Sequence, residues 1–436
     1  MIITADIKKI GSKLSSPVAK NIFWLSLDKV FKLIVGLVVG VWVARYLGPS
    51  QWGELNYVLA FVSIIATLDR LGMDGFLTKE ILENPDQKNS ILGTSFIMRL
   101  VIIPFGIAAI LIYFYILDLK ISFYYLLAFL SLNIIITPFD LIDVDFQSRL
   151  QSRLTVISKN SAYVIGALAR IYLLVSHKSL LWFAAATGLE SLFSYIFLTI
   201  SYQRANNIFD WTFSMKLVKK LWNAGWPFTL SSIAIVLYMR MDQVMLGSMV
   251  DEKELGYFSS ATRVSDIFVF LPMAISGSIL PYMIEAKKNG REYFLKKIQF
   301  LINWMARLSI APALLVTFFA DDVIKVLYGV EYMPASGILI VHIWSLVPMF
   351  LGIATSQYLV IEGLQKYSLY RTLVGLTTNV ILNLILIPKY GAFGAALATT
   401  IAQFSAAILT MSIFEQTRVM FYLQMKSFLM IFNFKK

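Results

Sequence analysis

WPFTLSSIAIVLYMRMDQVMLGSMV, residues 226–250, is long and apolar enough to cross a lipid bilayer. Its centre, LYMRMDQVMLG (237–247), carries an arginine, Arg240, and an aspartate, Asp242. Each charge costs about 2.5–3.5 kcal/mol to insert at the middle of a membrane helix. Charged residues persist there when a partner or a water-filled cavity offsets that cost, so this stretch indicates both a membrane helix and a functional site.

The whole chain has the composition of a polytopic membrane protein. Of its 436 residues, 58% are hydrophobic and 15% are charged, and the mean hydropathy is +0.72. Soluble domains are about 45–50% apolar and about 25% charged, so the soluble classes are excluded. We predict about twelve transmembrane helices, near residues 22–45, 53–73, 93–115, 122–142, 159–176, 180–201, 225–249, 256–283, 299–320, 336–361, 369–388 and 391–414.

The distribution of Lys and Arg predicts the orientation. With the N-terminus inside, the inner segments carry clusters of basic residues, as in EAKKNGREYFLKK, whereas most outer segments carry one lysine. The positive-inside rule then places both termini in the cytoplasm. This bias accounts for most of the net charge of +12, so the charge does not indicate nucleic-acid binding. The final stretch, 418–436, is rather short for a span, and we interpret it as an interfacial helix.

The sequence contains an internal echo. LGPSQWGELNY (47–57) resembles LGSMVDEKELGY (246–257), and FAAATGLESLFSY (183–195) resembles GAALATTIAQFSA (394–406). Both pairs are offset by about 200 residues, which is six predicted spans, so the two halves have the same orientation. We therefore predict two parallel six-helix lobes, residues 1–210 and 211–436, enclosing a cleft.

Motifs of covalent or metal chemistry are scarce. The sequence contains no P-loop, no HExxH motif and no cysteine, so we predict no catalytic residue, metal site or cofactor. The DVD motif at Asp143–Asp145 matches a pattern of metal-dependent glycosyltransferases, but we expect a solvated helix end there. His177 and His342 are expected to be surface or packing residues.

Charged residues recur within the predicted spans. They include Asp28, Lys29, Lys32, Asp69, Arg70, Arg170, Glu190, Arg240, Asp242, Arg263, Asp266 and Arg307. The cations either pair with nearby carboxylates or line a cleft that accepts an anion, and the sequence leaves both interpretations open.

The spacing of these residues restricts their pairing. Arg240 and Asp242 lie about 200° apart on a helix and need different partners, whereas Arg263 and Asp266, three apart, can meet. Glu190 has no basic residue close to it in sequence, so it is either a neutral carboxylic acid hydrogen-bonded in a helix interface or a proton carrier.

The motifs together resemble those of a known family. The segments ARYLGPSQWG, FQSRLQSRLTVISKN, RMDQVMLG and IPKYGAFGAALATTIAQF stand in order along almost the whole chain. They resemble O-antigen and polysaccharide repeat-unit flippases of the multidrug/oligosaccharidyl-lipid/polysaccharide exporter superfamily. The resemblance implies twelve helices in two lobes that form a V-shaped central cavity.

The resemblance also implies a function. Such proteins move undecaprenyl-diphosphate-linked oligosaccharides from the cytoplasmic to the periplasmic leaflet of a bacterial inner membrane by alternating access. A proton or sodium gradient would drive transport, and a polysaccharide polymerase and a chain-length regulator would be partners beside membrane lipid.

Roles for the charged residues follow from this expectation. Lys29, Lys32, Arg70, Arg240 and Arg263 are our candidates for contacts to the diphosphate and sugar, because guanidinium and ammonium groups suit phosphate. Asp28, Asp242, Asp266 and Glu190 are the candidates for charge balance or ion coupling.

Two alternatives remain at this point. A drug/cation antiporter of the same fold would share the helices and the buried charges. A membrane enzyme that polymerises or ligates lipid-linked sugars would need a large outer loop, and the longest outer connection has only about 16 residues.

Overall fold

The computed structural model describes residues 17–430, without the side chains of residues 17–19 and 22. This part of the chain is almost entirely helical and contains no strand, as the composition predicts. The α-helices are α1 (Pro17–Asp69), α2 (Asp74–Glu83), α3 (Lys88–Ile116), α4 (Ile121–Ile136), α5 (Leu141–Ser148), α6 (Ser152–Val175), α7 (Leu180–Gln203), α8 (Met215–Met249), α9 (Glu252–Asp266), α10 (Phe270–Lys288), α11 (Arg291–Tyr328), α12 (Pro334–His342), α13 (Leu346–Ile361), α14 (Lys366–Phe404), α15 (Thr410–Ile413) and α16 (Arg418–Leu429).

Seven helical segments of the described chain are long and apolar enough to cross a membrane. The first, Phe23–Glu83, has 61 residues. A straight helix of that length would measure about 90 Å, three times the hydrocarbon thickness of about 30 Å. Gly48, with φ of 73°, breaks α1 within this segment, between the two spans predicted at residues 22–45 and 53–73. Gly391, with φ of 54°, bends α14 in the same way.

The twelve predicted spans all lie on helical segments, apart from a few terminal residues. Several are interrupted where the sequence suggests one continuous helix: Ile267–Val269 and Ile343–Ser345 are 3-10 turns, and Ser405–Leu409 is a π-helix. Short 3-10 and π segments inside membrane helices often mark functional sites. The multi-pass helical fold is confirmed, whereas the count of twelve remains a prediction.

The described chain forms two compact units. Unit 1 comprises the chain up to Val43 together with Val58–Ile233, and unit 2 comprises Ala44–Tyr57 and the chain from Ala234 onward. These bounds differ from the predicted lobes, 1–210 and 211–436, because α1 and α8 each contribute to both units. The functional lobes remain a prediction.

Unit 1 has an apolar core beside its turns. Leu71 and Met73, in the connection from α1 to α2, pack with Leu77, Leu141 and Leu221. These residues bring α2, α5 and the first turns of α8 together. The core therefore fixes the end of α1, where several charged side chains also lie.

In unit 2 the C-terminal helix α16 packs on α11. Gln299 of α11 donates to the Leu423 carbonyl over 3.0 Å. Gln424 is fully buried and donates to Thr355 and to the Ala407 carbonyl. Helix α16 has 12 residues, which are too few to cross a bilayer, so no thirteenth span forms in the described chain. Its interfacial position remains a prediction.

Candidate functional site

Asp242 is a buried carboxylate of unit 2 held by three neutral side chains. Asn379 and Asn383 donate their Nδ2 groups to its Oδ1 over 2.8 and 2.6 Å, and Thr399 donates to its Oδ2 over 2.6 Å. Asn379 and Asn383 share one face of α14 because they are four residues apart. Thr399 lies beyond the bend at Gly391, so Asp242 joins α8 to both halves of α14.

No basic side chain of the described residues forms an ion pair with Asp242. The side-chain Oδ1 of Asn383 is also buried and accepts no hydrogen bond from the described residues. If the side-chain amides of Asn379 and Asn383 flip so that their oxygens face Asp242, the site presents carboxylate, amide and hydroxyl oxygens. These are the ligand types that hard cations prefer. One carboxylate among neutral oxygens suits a monovalent cation or a proton, and the described residues contain no group of three or more His, Cys, Asp or Glu side chains that could hold a metal ion.

Asp242 lines a pocket of about 120 Å³ within unit 2. Arg240, Gln243, Asp266, His342 and Gln403 line the same pocket. The 3-10 turns at Ile267–Val269 and Ile343–Ser345 each supply lining residues, and the π-helix begins two residues after Gln403. Helices that break beside a buried polar site are typical of ion and substrate sites in transporters.

Arg240 has a different partner from Asp242, as their spacing predicts. Its Nη1 donates to the Oε1 of Gln243, three residues further along α8, over 3.3 Å. No carboxylate of the described residues lies within 4.0 Å of its guanidinium. Arg240 therefore keeps donors available for an anion in the pocket, with Asp266 as an electrostatic neighbour.

Arg263, the other predicted cation of unit 2, lies 5.4 Å from the centre of the Trp52 ring. Cation–π contacts of this kind stabilise an arginine by about 0.5–2 kcal/mol. Trp52 belongs to the stretch of α1 that is part of unit 2. Arg263 therefore contributes to packing in this conformation.

In unit 1 two predicted substrate contacts are paired with carboxylates. Lys32 lies 2.8 Å from Asp28, and Arg70 lies 2.5 Å from Asp140. Lys29 is exposed and has no ion pair within the described chain. The structure thus brings Arg240, Asp242 and Asp266 together in one pocket, whereas the predicted cations of unit 1 lie elsewhere.

Glu190 has a basic partner that its sequence neighbourhood does not reveal. The Nη1 of Arg170, on the adjacent helix α6, lies 2.7 Å from its Oε2. Gly166 faces the same carboxylate. The interpretation of Glu190 as an isolated carboxyl is therefore corrected: it belongs to an ion pair between α6 and α7.

The DVD motif also differs from expectation. The side chain of Asp145 is fully buried and lies 3.0 Å from Arg149 and 3.6 Å from Lys88. The prediction of a solvated helix end is wrong for Asp145, because α5 packs into the core of unit 1. Its charge is balanced by these two cations.

Sequence reasoning missed several polar residues that the structure brings together. They are Asn379, Asn383 and Thr399 around Asp242, and Arg99 and Lys159 in unit 1. Asparagines at i and i+4 in an apolar span were an available signal, because both amides then face the same neighbour. Arg99 offered a weaker signal of a buried ion pair, because a single charged residue within a predicted span indicates a partner without identifying it.

Two sequence families match the chain. Residues 18–287 match the family described as polysaccharide biosynthesis protein, and residues 227–385 match the MatE family. A relative from Haloferax volcanii, named as the probable low-salt glycan biosynthesis flippase Agl15, is 24% identical over 82% of this chain and 75% of its own length.

Solved structures share the fold. One is lipid II flippase MurJ in an inward closed conformation, with a TM-score of 0.75 and 16% identity over 95% of this chain and 94% of that one. Another is an inward-facing multidrug resistance MATE family transporter of the MOP superfamily, with a TM-score of 0.69 and 16% identity over 95% and 100% of the two chains. The predicted superfamily is confirmed, and because the first family match spans more than half of the sequence, this chain belongs to the polysaccharide biosynthesis protein family.

Proposed function

We propose that this protein is a flippase that moves undecaprenyl-diphosphate-linked oligosaccharides from the cytoplasmic to the periplasmic leaflet by alternating access. Membership of the polysaccharide biosynthesis family and a relative named as a glycan biosynthesis flippase support the lipid-linked glycan as cargo. The fold shared with transporters supports transport without covalent chemistry.

The Asp242 site carries the proposal of ion coupling. A sodium ion or a proton at Asp242 would neutralise a carboxylate that has no basic partner among the described residues. Because Asp242 holds both halves of α14, occupation of this site would change the contact between α8 and the bent helix. Arg240 lies two residues from Asp242 on α8, so a shift of this helix would move the anion-binding group with the ion site.

Arg240 is the first candidate for contact with the diphosphate. Its two terminal nitrogens suit bidentate hydrogen bonds to phosphate oxygens. Lys29, Lys32, Arg70 and Arg263 remain further candidates. For Lys32 and Arg70, contact with cargo would require exchange of their carboxylate partners, Asp28 and Asp140, during the transport cycle.

Complementation of a strain that lacks this gene tests the proposal. Arg240→Ala should abolish surface polysaccharide and leave lipid-linked repeat units in the cytoplasmic leaflet, while Arg240→Lys should retain part of the display. Arg204→Ala is the matched control, because Arg204 is exposed and forms no ion pair within the described chain. Normal display with Arg240→Ala at equal protein level would remove Arg240 from the mechanism.

A drug/cation antiporter is the second candidate function. The MatE match covers residues 227–385, which include most of the pocket around Asp242. Expression in a drug-sensitive host decides between the two: an antiporter would raise drug resistance and dye efflux, whereas the proposed flippase would change neither.

The location and partners are also part of the proposal. We place the protein in a bacterial inner membrane with both termini in the cytoplasm, next to a polysaccharide polymerase and a chain-length regulator. Reporter fusions to each terminus test the orientation, and a periplasmic signal from either fusion would contradict it. Co-purification with the polymerase, with an unrelated membrane protein as control, tests the partnership.

A further inference from the structure

Asp69, the last residue of α1, is a buried carboxyl group without a hydrogen-bond donor. Its side chain is 0% exposed, and neither Oδ1 nor Oδ2 accepts a hydrogen bond from the described residues. An ionised carboxylate in such a place is strongly disfavoured unless it is paired and hydrogen-bonded. A protonated carboxylic acid is tolerated better because it carries no net charge.

Arg99 of α3 is the complementary group. It is also fully buried, and its Nη2 donates to the Oδ1 of Asp74 over 2.5 Å. Its Nη1 is buried and donates to no acceptor of the described chain. Asp69 lies within electrostatic reach of this guanidinium. The Nη2 of Arg99 therefore binds Asp74, whereas its Nη1 lacks an acceptor.

The charged groups that face Asp69 come from four elements. They are Arg70, Asp74, Arg99 and Asp140. Arg70 is engaged with Asp140, 2.5 Å away, and Asp140 also accepts from Lys159 of α6. Arg99 is thus the remaining cation within electrostatic reach of Asp69, and in this structure its ion pair is with Asp74.

The turn between the two carboxyl groups is strained. Leu71 and Gly72 both have left-handed backbone angles, with φ of 55° and 59°, and a buried leucine rarely adopts this conformation. Thr229 of α8 donates to the Leu71 carbonyl over 2.5 Å. A relaxation of this turn would move Asp69 and Asp74 relative to Arg99. It would also change the hydrogen bond between Thr229 of α8 and the Leu71 carbonyl.

We propose that Asp69 is a proton-binding site of unit 1, protonated in the described conformation, whose deprotonated form takes Arg99 from Asp74. The carboxylic acid releases one proton to water and becomes a carboxylate, which forms one ion pair with Arg99. The ion pair of Arg99 with Asp74 breaks in the same step. Asp74 can be released because its side chain is 45% exposed and water solvates it. This proposal does not depend on the cargo or on the ion bound at Asp242.

Infrared difference spectroscopy of the purified full chain in lipid nanodiscs tests the proposal without any substrate. A protonated aspartic acid gives a C=O stretching band that an ionised carboxylate lacks. We expect an acid band at neutral pH that loses the component due to Asp69 in Asp69→Asn, whatever Asp242 contributes to the rest of the band. Asp74→Asn should remove the same component, because Arg99 is then free to pair with Asp69 and favours its ionised form.

The control is Asp86→Asn, since Asp86 is exposed and forms no ion pair within the described chain. This variant should keep the acid band. An unchanged spectrum in Asp69→Asn would show that Asp69 is ionised in the native protein and would overturn the proposal. Loss of the Asp69 component in Asp69→Asn but not in Asp74→Asn would overturn the exchange of Arg99. Circular dichroism of each variant checks that the helical fold is intact.

Discussion

Gly53 of α1 lies directly against the backbone carbonyl of Glu252 at the start of α9, where any side chain at position 53 would overlap it. Gly256 of α9 lies in the same way against the carbonyl of Pro49. The two contacts are reciprocal, because positions 53 and 256 and positions 49 and 252 differ by the same 203 residues. The repeat LGPSQWGELNY and LGSMVDEKELGY thus forms a symmetrical helix crossing within unit 2, which only glycine permits.

Gly53→Ala should therefore destabilise unit 2. The added methyl group would push two backbones apart, and overpacking of this kind costs about 1–3 kcal/mol. Thermal unfolding of the purified protein measures the effect. Gly277→Ala in α10 is the control, because its methyl group would meet nothing within 4 Å, and alanine favours the helix. Equal unfolding temperatures for the two variants would show that the crossing tolerates a side chain.

Asp242→Asn should remove the stabilisation that a bound cation gives. A ligand present at one hundred times its dissociation constant stabilises a protein by about 2.7 kcal/mol. If the ion is sodium, the unfolding temperature of the wild type should rise when sodium chloride is added. If the ion is a proton, it should rise when the pH is lowered. The unfolding temperature of the variant should change in neither case. Asp322→Asn, at an exposed carboxylate of unit 2, should behave like the wild type. A response retained by Asp242→Asn would place the coupling ion elsewhere.

Thr399→Val should weaken the same site without disturbing the helix. Valine keeps the branched shape but loses the hydroxyl that donates to Asp242, a loss of about 0.5–1.5 kcal/mol, which lowers the ion affinity by a factor of about 2–13. Titration of unfolding temperature against ion concentration measures the change. Thr372→Val on the same helix loses only a bond to the Ser368 carbonyl, so its ion affinity should not change.

The Arg170–Glu190 pair should show strong coupling in a double-mutant cycle. Glu190→Gln leaves the mostly buried Arg170 without its counter-charge, and Arg170→Gln leaves the carboxylate of Glu190 without its cation. The double variant should be more stable than the sum of the single losses predicts, with a coupling energy of about 0.5–3 kcal/mol. Additive losses in unfolding free energy would indicate that the two side chains act independently and would restore Glu190 as an isolated carboxyl.

Much of the fold could be predicted from the sequence because membrane insertion is a local property. About twenty apolar residues decide whether a segment spans the bilayer, so helices near 93–115 and 180–201 could be placed closely. The kinks at Gly48 and Gly391 also follow from local chemistry, since glycine accepts positive φ. The 3-10 turn at Ile343–Ser345 left no such signal, because it contains neither glycine nor proline.

The sequence by itself determined that this is a helical membrane protein of the multidrug/oligosaccharidyl-lipid/polysaccharide exporter superfamily and that Arg240 and Asp242 need different partners. Only the tertiary structure decided which partners they have: Asn379, Asn383 and Thr399 lie at least 137 residues from Asp242. The reason is physical, because the depth and rotation of each helix decide which side chains meet, and these depend on the packing of the assembled helices.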